Sequence, residues 1–434
     1  MTKNSNLIIN SSNKLEGSIT IPGDKSITHR AIMLGALSDG KVMISNSLLS
    51  DDCMCTLAAF KQFGINIQIS GDTITIIGEG LNGLSKPEYQ IDAGNSGTLA
   101  RLISGILSTQ SFHSSITGDK SLVTRPMDRI IKPLESFGAM VESKNGMLPI
   151  KFSPSSSMKS IRYHSKIPSA QVKSSLILAA LGIHGESIIS EDIHTRDHTE
   201  RLLSYLDYPI TIDDKTITIQ GCKKIISKDI IVPADISSAA FLIVAALIKK
   251  DSNILLEKIG VNPLRTGIID VLLKMGANIK LINHRVICNE PVADIKVKYS
   301  KLNPVSISGK IISRLIDELP ILFIACATCN GLSFIDDIKE LRYKESDRIK
   351  TMESGLKKLG ITLTSTENSL EINGGRFTGG IIDSYGDHRI AMSFLIAGLV
   401  SDKPITVLNT SNINTSFPGF EEILRDQNID IYNI

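Results

Sequence analysis

Four short stretches place cations and hydroxyls where an apolar helix is about to begin. "GDKSITHR" (23–30) supplies Lys25, Ser26 and Arg30 between an alternating apolar stretch and a long apolar run. "DAGNSGTLARLISGIL" (92–107) supplies Asn95, Gly97, Thr98 and Arg101, and "PSAQVKSSLILAAL" (168–181) supplies Ser169, Gln171 and Lys173. "GDHRIAMSFLIAGL" (386–399) supplies Asp387, His388 and Arg389. A helix N-terminus carries unpaired N–H groups and a partial positive charge, which suits an anion. Ser, Asp and Asn also cap helices with no ligand present, so any one stretch is equally a capped helix with solvated cations. Four such stretches together point to several helix starts directed at one anionic site.

Further charge comes from "GDKSLVTRPMDR" (118–129), with Arg125 in a turn before proline, and from "ELRYKESDRIKTM" (340–352), with Lys344, Glu345, Asp347 and Arg348. The plain alternative for the second is an exposed, salt-bridged helix face. Two carboxylates could move protons: Asp317 in "IDELPILFIA", ahead of an apolar helix, and Glu345, whose ionised form neighbouring cations would favour. No GxxxxGK[ST] loop occurs, and no GxGxxG fingerprint follows a strand. "HTRDHTERL" (194–202) holds two histidines four apart without the glutamate of HExxH, so no metal site is expected. Pattern alone reaches an enzyme that grips phosphorylated or carboxylated small molecules.

The elements that must position these residues repeat along the chain. An amphipathic segment, a turn residue and an alternating apolar pair recur in "LAAFKQFGINI", "KPLESFGAMV", "LLSYLDYPITI", "DVLLKMGANI", "SGLKKLGITL" and "EEILRDQNIDI". The turn positions are expected at Gly64, Gly138, Pro209, Gly276, Gly360 and Asn428, spaced by 74, 71, 67, 84 and 68 residues. Each copy reads as a helix stopped by glycine or an equivalent, then a strand. Units of this size are marginal alone, which favours three per domain. "ITIPGDKSITHRA" (19–31) and "IIVPADISSAAFL" (230–242) echo each other, placing a join near Val232-Pro233-Ala234.

Composition narrows the function classes. The 434 residues are 42% hydrophobic, enough for more than one core. Their 47 basic and 45 acidic side chains leave a charge of only +2, against a nucleic-acid partner. No signal-peptide pattern opens the sequence, and "AAFLIVAALI" (239–248) is too short to span a bilayer, so a cytoplasmic protein is expected. Six sparse cysteines suggest no disulfide scaffold, and "CATC" (326–329) reads as buried structural thiols.

"PGDKSITHRA", "GNSGTLARL", "RPMDR", "SAQVKS", "RDHTE", "DISSAAF", "IDELP", "KESDRI", "DHRIAM" and "SFPGF" together resemble the 5-enolpyruvylshikimate-3-phosphate synthase family, collinearly from about residue 19 to 420. The resemblance implies an α/β protein with a two-domain inverse α/β barrel-like fold of six βαβαββ units, three per domain. Residues 1–22 plus 233–434 would form domain I and residues 23–232 domain II, with Gly23 at a hinge and the active site in the cleft. The implied activity is that of a transferase in the shikimate pathway of aromatic amino-acid biosynthesis. It moves the carboxyvinyl group of phosphoenolpyruvate to the 5-hydroxyl of shikimate 3-phosphate and releases phosphate, by addition and elimination through a tetrahedral intermediate. No metal or organic cofactor is implied; neither a nucleic acid nor a membrane is expected as a partner, and a monomer is expected.

Carried over by motif, Asp317, Glu345 and Lys25 would be catalytic. Shikimate 3-phosphate would meet Lys25, Ser26, Arg30, Ser169, Ala170, Gln171, Asp317 and Lys344. Phosphoenolpyruvate would meet Lys25, Gly97, Arg125, Gln171, Arg348 and Arg389, and Asn95, Thr98, Arg196 and His388 would be accessory residues. Two departures stand out: "INTSFPGF" offers Asn414 and Thr415 where some relatives carry a lysine, and Ser169-Ala170 replaces two serines. The rival readings are the sister carboxyvinyl transfer to UDP-N-acetylglucosamine, whose loop cysteine is missing from "GDKSLVTRPMDR", and a non-catalytic anion-binding protein of the same fold.

Overall fold

The computed structural model describes residues 5–11, 13–166 and 168–434. The chain forms two units. The first comprises Met1–Pro22, Ala234–Arg285 and Pro291–Ile434, and the second Gly23–Pro233 with Val286–Glu290. Among the described residues each holds three four-stranded sheets of one topology.

The repeat is plainest in the second unit. Strands Ile91–Asp92 and Ser114–Thr117 pair in parallel, while Met140–Lys144 and Met147–Ser153 form an antiparallel hairpin whose second strand lies against Ser114–Thr117. Parallel neighbours need a crossover, supplied by helix Gly97–Leu107, whereas the hairpin needs only a turn. Helix Asp128–Ser136 leads into the hairpin, completing βαβαββ. The same order recurs over Arg162–Gln220 in this unit and over Ser306–Asn373 in the first.

Three sheets borrow a strand from elsewhere in the sequence. Ile230–Ile231 runs parallel to Asp39–Ser45, Glu16–Ile19 runs parallel to Asn253–Gly260, and Leu7–Ile9 pairs with both Ile405–Leu408 and Ile431–Asn433. The sheets stay separate, so among the described residues none closes into a barrel.

Buried helices hold each unit together: α1 (Lys25–Ala36), α2 (Gly97–Leu107) and α3 (Ala170–Leu181) in the second, and α4 (Ile236–Ile248), α5 (Leu319–Ala327) and α6 (His388–Gly398) in the first. All thirteen residues of α4 are buried, which accounts for the apolar run 239–248. A helix apolar on every side belongs in a core, where each large aliphatic side chain contributes roughly 1.5–3 kcal/mol. Among the described residues no helix is long and apolar enough to cross a membrane. Helices α2 and α3 pack backbone against backbone, since a Cβ on Gly105 would lie 2.0 Å from the carbonyl oxygen of Ser175.

The helix-to-strand turns recur with one correction. Residues with positive φ follow the helices at Gly64, Gly138, Asp207, Gly276, Gly360 and Asn428. The third turn is at Asp207, not Pro209, because proline's ring holds φ near −65°. Asp207 also lies 69 residues from both Gly138 and Gly276, which makes the period more even.

Candidate active site

In the second unit the three core helices begin with side-chain caps. Asp24 accepts from the N–H of Ile27 at 2.9 Å, Ser96 from Leu99 at 3.1 Å and Ser169 from Val172 at 3.4 Å. Lys25, the first residue of α1, donates to Asp52 at 2.9 Å; both side chains are mostly buried. Arg30 lies one turn on, with only 4% exposure. It donates to the carbonyl oxygen of Ser26 at 2.8 Å, to Thr199 Oγ1 at 2.7 Å and to Ser174 Oγ at 2.8 Å.

Helices α2 and α3 bring a second group together. Gln171 accepts from Arg101 at 2.8 Å and donates to Thr98 Oγ1 at 3.4 Å. Arg125 donates to Asn95 Oδ1 at 2.7 Å, and Asn95 in turn donates to Asp119 at 2.7 Å. A Cβ on Gly97 would stand 2.9 Å from Arg101 Nη1 and 3.5 Å from Arg125 Nη1, so the bare glycine leaves both guanidinium groups room. Ala170 opens α3 beside its cap Ser169, and Arg196 lies on the segment between strand Glu186–Glu191 and helix His198–Tyr205.

In the first unit the acid–base candidates meet cations. Lys344 donates to Asp317 at 3.2 Å. Arg348, 1% exposed, reaches Glu345 at 2.5 Å, Asp387 at 2.8 Å and Asp317 at 3.8 Å. Burial works against its charge, but Asp387, Glu345 and Asp317 outweigh that and raise its pKa above the ordinary arginine value. Arg389 donates to the carbonyl oxygen of Asp317 at 2.8 Å and lies 3.5 Å from the fully buried Glu318. His388 is the buried first residue of α6.

The segment 340–352 therefore corrects the exposed-face alternative. Its first part is a 3₁₀ turn, Lys339–Tyr343, its helix starts only at Arg348, and that arginine is buried. The histidine pair is likewise not one helical face: His194 precedes the helix and contacts Asp214, whereas His198 begins it. Among the described residues no cluster of three or more ligands could hold a metal. Cys326 and Cys329 are buried, and burial pushes their thiols up to about 12 and about 11. Asn414 and Thr415 fall in the turn Thr410–Thr415, where the Thr415 hydroxyl donates to the carbonyl oxygen of Asn412.

Sequence reasoning missed several partners. Asp52 holds Lys25 from another helix. Glu318 accepts a short hydrogen bond from Ser237, which accepts from the buried Arg265 at 2.7 Å. Ser174 and Thr199 hold Arg30. Asn412 donates to the carbonyl oxygen of Gly386, just ahead of the Asp387 cap. Ser174 and Thr199 sit inside the motifs SAQVKS and RDHTE but were not singled out there, and Asp52, Glu318 and Asn412 lie on segments that carry no cation motif.

Six four-stranded sheets among the described residues, with cation-bearing helix starts in both units, define a repeat-built α/β protein suited to anionic small molecules. The chain belongs to the EPSP synthase family: the model described as EPSP synthase (3-phosphoshikimate 1-carboxyvinyltransferase) matches residues 9–424. The 3-phosphoshikimate 1-carboxyvinyltransferase of Ruthia magnifica subsp. Calyptogena magnifica is 46% identical over 433 residues, covering 99% of this chain and 100% of that one. That of Methylococcus capsulatus is 44% identical over 422 residues, covering 96% of each. The solved EPSP synthase of Acinetobacter baumannii superposes with a TM-score of 0.89 at 41% identity, covering 99% of this chain and 100% of that one.

Proposed function

We propose that this chain transfers the carboxyvinyl group of phosphoenolpyruvate to the 5-hydroxyl of shikimate 3-phosphate, releasing phosphate. The observation that carries the reading is the group Asp317, Lys344, Glu345 and Arg348, in which two carboxylates suited to proton transfer are each held by a cation. Asp317, supported by Lys344, accepts the hydroxyl proton as the oxygen attacks C2 of phosphoenolpyruvate. Glu345 delivers a proton to the methylene carbon, giving the tetrahedral intermediate, and removes one again as phosphate leaves.

Lys25, Arg125, Arg348 and Arg389 hold phosphoenolpyruvate, with Gly97 and Gln171 beside it. Lys25, Ser26, Arg30, Ser169, Ala170 and Gln171 hold shikimate 3-phosphate, and Asn95, Thr98, Arg196 and His388 are accessory. The electrostatics support this division of labour. Each substrate carries roughly two to three negative charges, and their mutual repulsion grows as water is excluded. A nearly neutral chain therefore gains by concentrating its cations at these helix starts. The working form is a cytoplasmic monomer that needs neither a metal nor an organic cofactor.

The roles are tested by running the reaction in deuterated water. Asp317→Asn and Glu345→Gln should each reduce phosphate release by at least about 100-fold. Glu345→Gln should also abolish deuterium entry into the methylene of recovered phosphoenolpyruvate. Undiminished exchange in that variant would remove Glu345 from the mechanism.

A further inference from the structure

Behind the start of α3 lie three buried ionisable side chains to which the proposed chemistry gives no role. Lys173, Glu191 and Glu200 have side chains only 3%, 4% and 1% exposed. Lys173 Nζ lies 2.8 Å from each carboxylate and donates to the carbonyl oxygen of Thr195 at 3.1 Å. Glu191 accepts from the backbone N–H of Thr195 at 2.9 Å and from its hydroxyl at 2.7 Å. The N–H, hydroxyl and carbonyl of Thr195 are thus all held, immediately before Arg196.

The next residues on the two facing helices form a second polar layer. Thr199 donates to Ser174 at 2.9 Å, and both accept from Arg30. Two groups assigned to shikimate 3-phosphate, Arg30 and the start of α3 from Ser169 to Gln171, are therefore joined with the accessory Arg196 through one patch.

Simple stabilisation is a weak reason for such a cluster. Buried ion pairs commonly gain little over well-packed apolar side chains, because desolvation offsets their attraction. A buried polar network holds its hydrogen-bonded members in one geometry, and here both Glu191 oxygens and Glu200 Oε1 have partners while Glu200 Oε2 has none among the described residues. Burial raises the pKa of Glu200 against the opposing effect of Lys173, while Glu200 and Glu191 raise that of Lys173 against burial.

We propose that Lys173 is a positioning residue for the shikimate 3-phosphate half of the site, holding Arg196 through Thr195 and aligning α3 with Arg30 through the Ser174–Thr199 layer. This rests on the function proposed above.

Steady-state kinetics of Lys173→Met, Glu191→Gln and Arg30→Ala, with thermal melts of each, test it. Lys173→Met should raise KM for shikimate 3-phosphate by about tenfold or more, because small misplacements of binding groups are costly. Its KM for phosphoenolpyruvate and its kcat should stay within about threefold of the parent, as expected when only one substrate's binding is lost. Glu191→Gln, which keeps one acceptor for Thr195, should give a smaller rise of the same kind, and it decides the question should Lys173→Met not fold. An unchanged KM for shikimate 3-phosphate, or both KM values and kcat worsening together, would overturn the positioning role. Arg30→Ala separates the two claims: a raised KM there upholds the binding assignment whatever Lys173 does, and an unchanged one overturns both.

Discussion

Asp387 joins two arginines: one carboxylate oxygen accepts from Arg348 Nε at 2.8 Å and the other from the backbone N–H of Arg389 at 3.0 Å. The same side chain caps α6 and is fully buried. A single acidic residue thereby sets both the start of a core helix and the orientation of a buried guanidinium.

Replacing Asp387 with alanine should therefore do more than remove a cap worth about 1 kcal/mol. It leaves Arg348 without its main counter-charge, and breaking a buried pair costs roughly 3–5 kcal/mol. Urea unfolding of Asp387→Ala should show a loss in that range, and Asp387→Asn, which keeps the cap acceptor, a smaller one. An Asp387→Asn variant as stable as the parent would contradict the ion-pair account.

Asp52 should matter to catalysis through Lys25. Lys25→Met is expected to lower kcat/KM by at least about 100-fold, the scale of a lost charge-stabilising donor. Asp52→Asn, which frees the lysine without removing it, should cost about tenfold. Initial-rate measurements rank the two, and an Asp52→Asn enzyme as active as the parent would show that Lys25 needs no anchor.

Gly97→Ala puts a Cβ against the end of Arg101, a flexible group, so the fold should survive. Arg101 must shift, and it is the residue that fixes Gln171. The expected result is an unchanged melting temperature with KM for phosphoenolpyruvate raised by about tenfold. A rise confined to shikimate 3-phosphate would reassign Gly97.

His29 makes stability depend on pH. It is fully buried with Nδ1 2.7 Å from Thr56 Oγ1, and burial, followed by Lys25 and Arg30, lowers its pKa to about 3. The unfolded chain, with the ordinary value of 6.5, takes up the proton first as pH falls. The contribution is present above pH 6.5 and is lost on acidification toward pH 3, by up to about 1.4 kcal/mol per unit. Melts between pH 6.5 and 4.5 should fall less steeply for His29→Gln than for the parent; parallel slopes would exclude this histidine.

The repeat was legible because its punctuation is chemical: positive φ favours glycine or asparagine, and five of the six turn residues are of those types. The sixth was misread because aspartate in that conformation gives a weaker signal than the proline two residues on. Asp207→Gly should relieve that strain and raise unfolding stability by about 0.5–1 kcal/mol; a loss would mean the aspartate side chain has its own task. Cations next to helix starts were equally visible in Lys25, Arg30 and Arg389. Their counter-charges were not. Asp52 and Glu318 come from other elements, and buried pairing depends on which helices pack together, which linear spacing does not encode.

The central claim is the acceptor, and phosphate release from phosphoenolpyruvate tests it most directly, with shikimate 3-phosphate and UDP-N-acetylglucosamine supplied in separate reactions. Release with shikimate 3-phosphate alone is the predicted result. Release with the nucleotide sugar, or with neither acceptor, would contradict it.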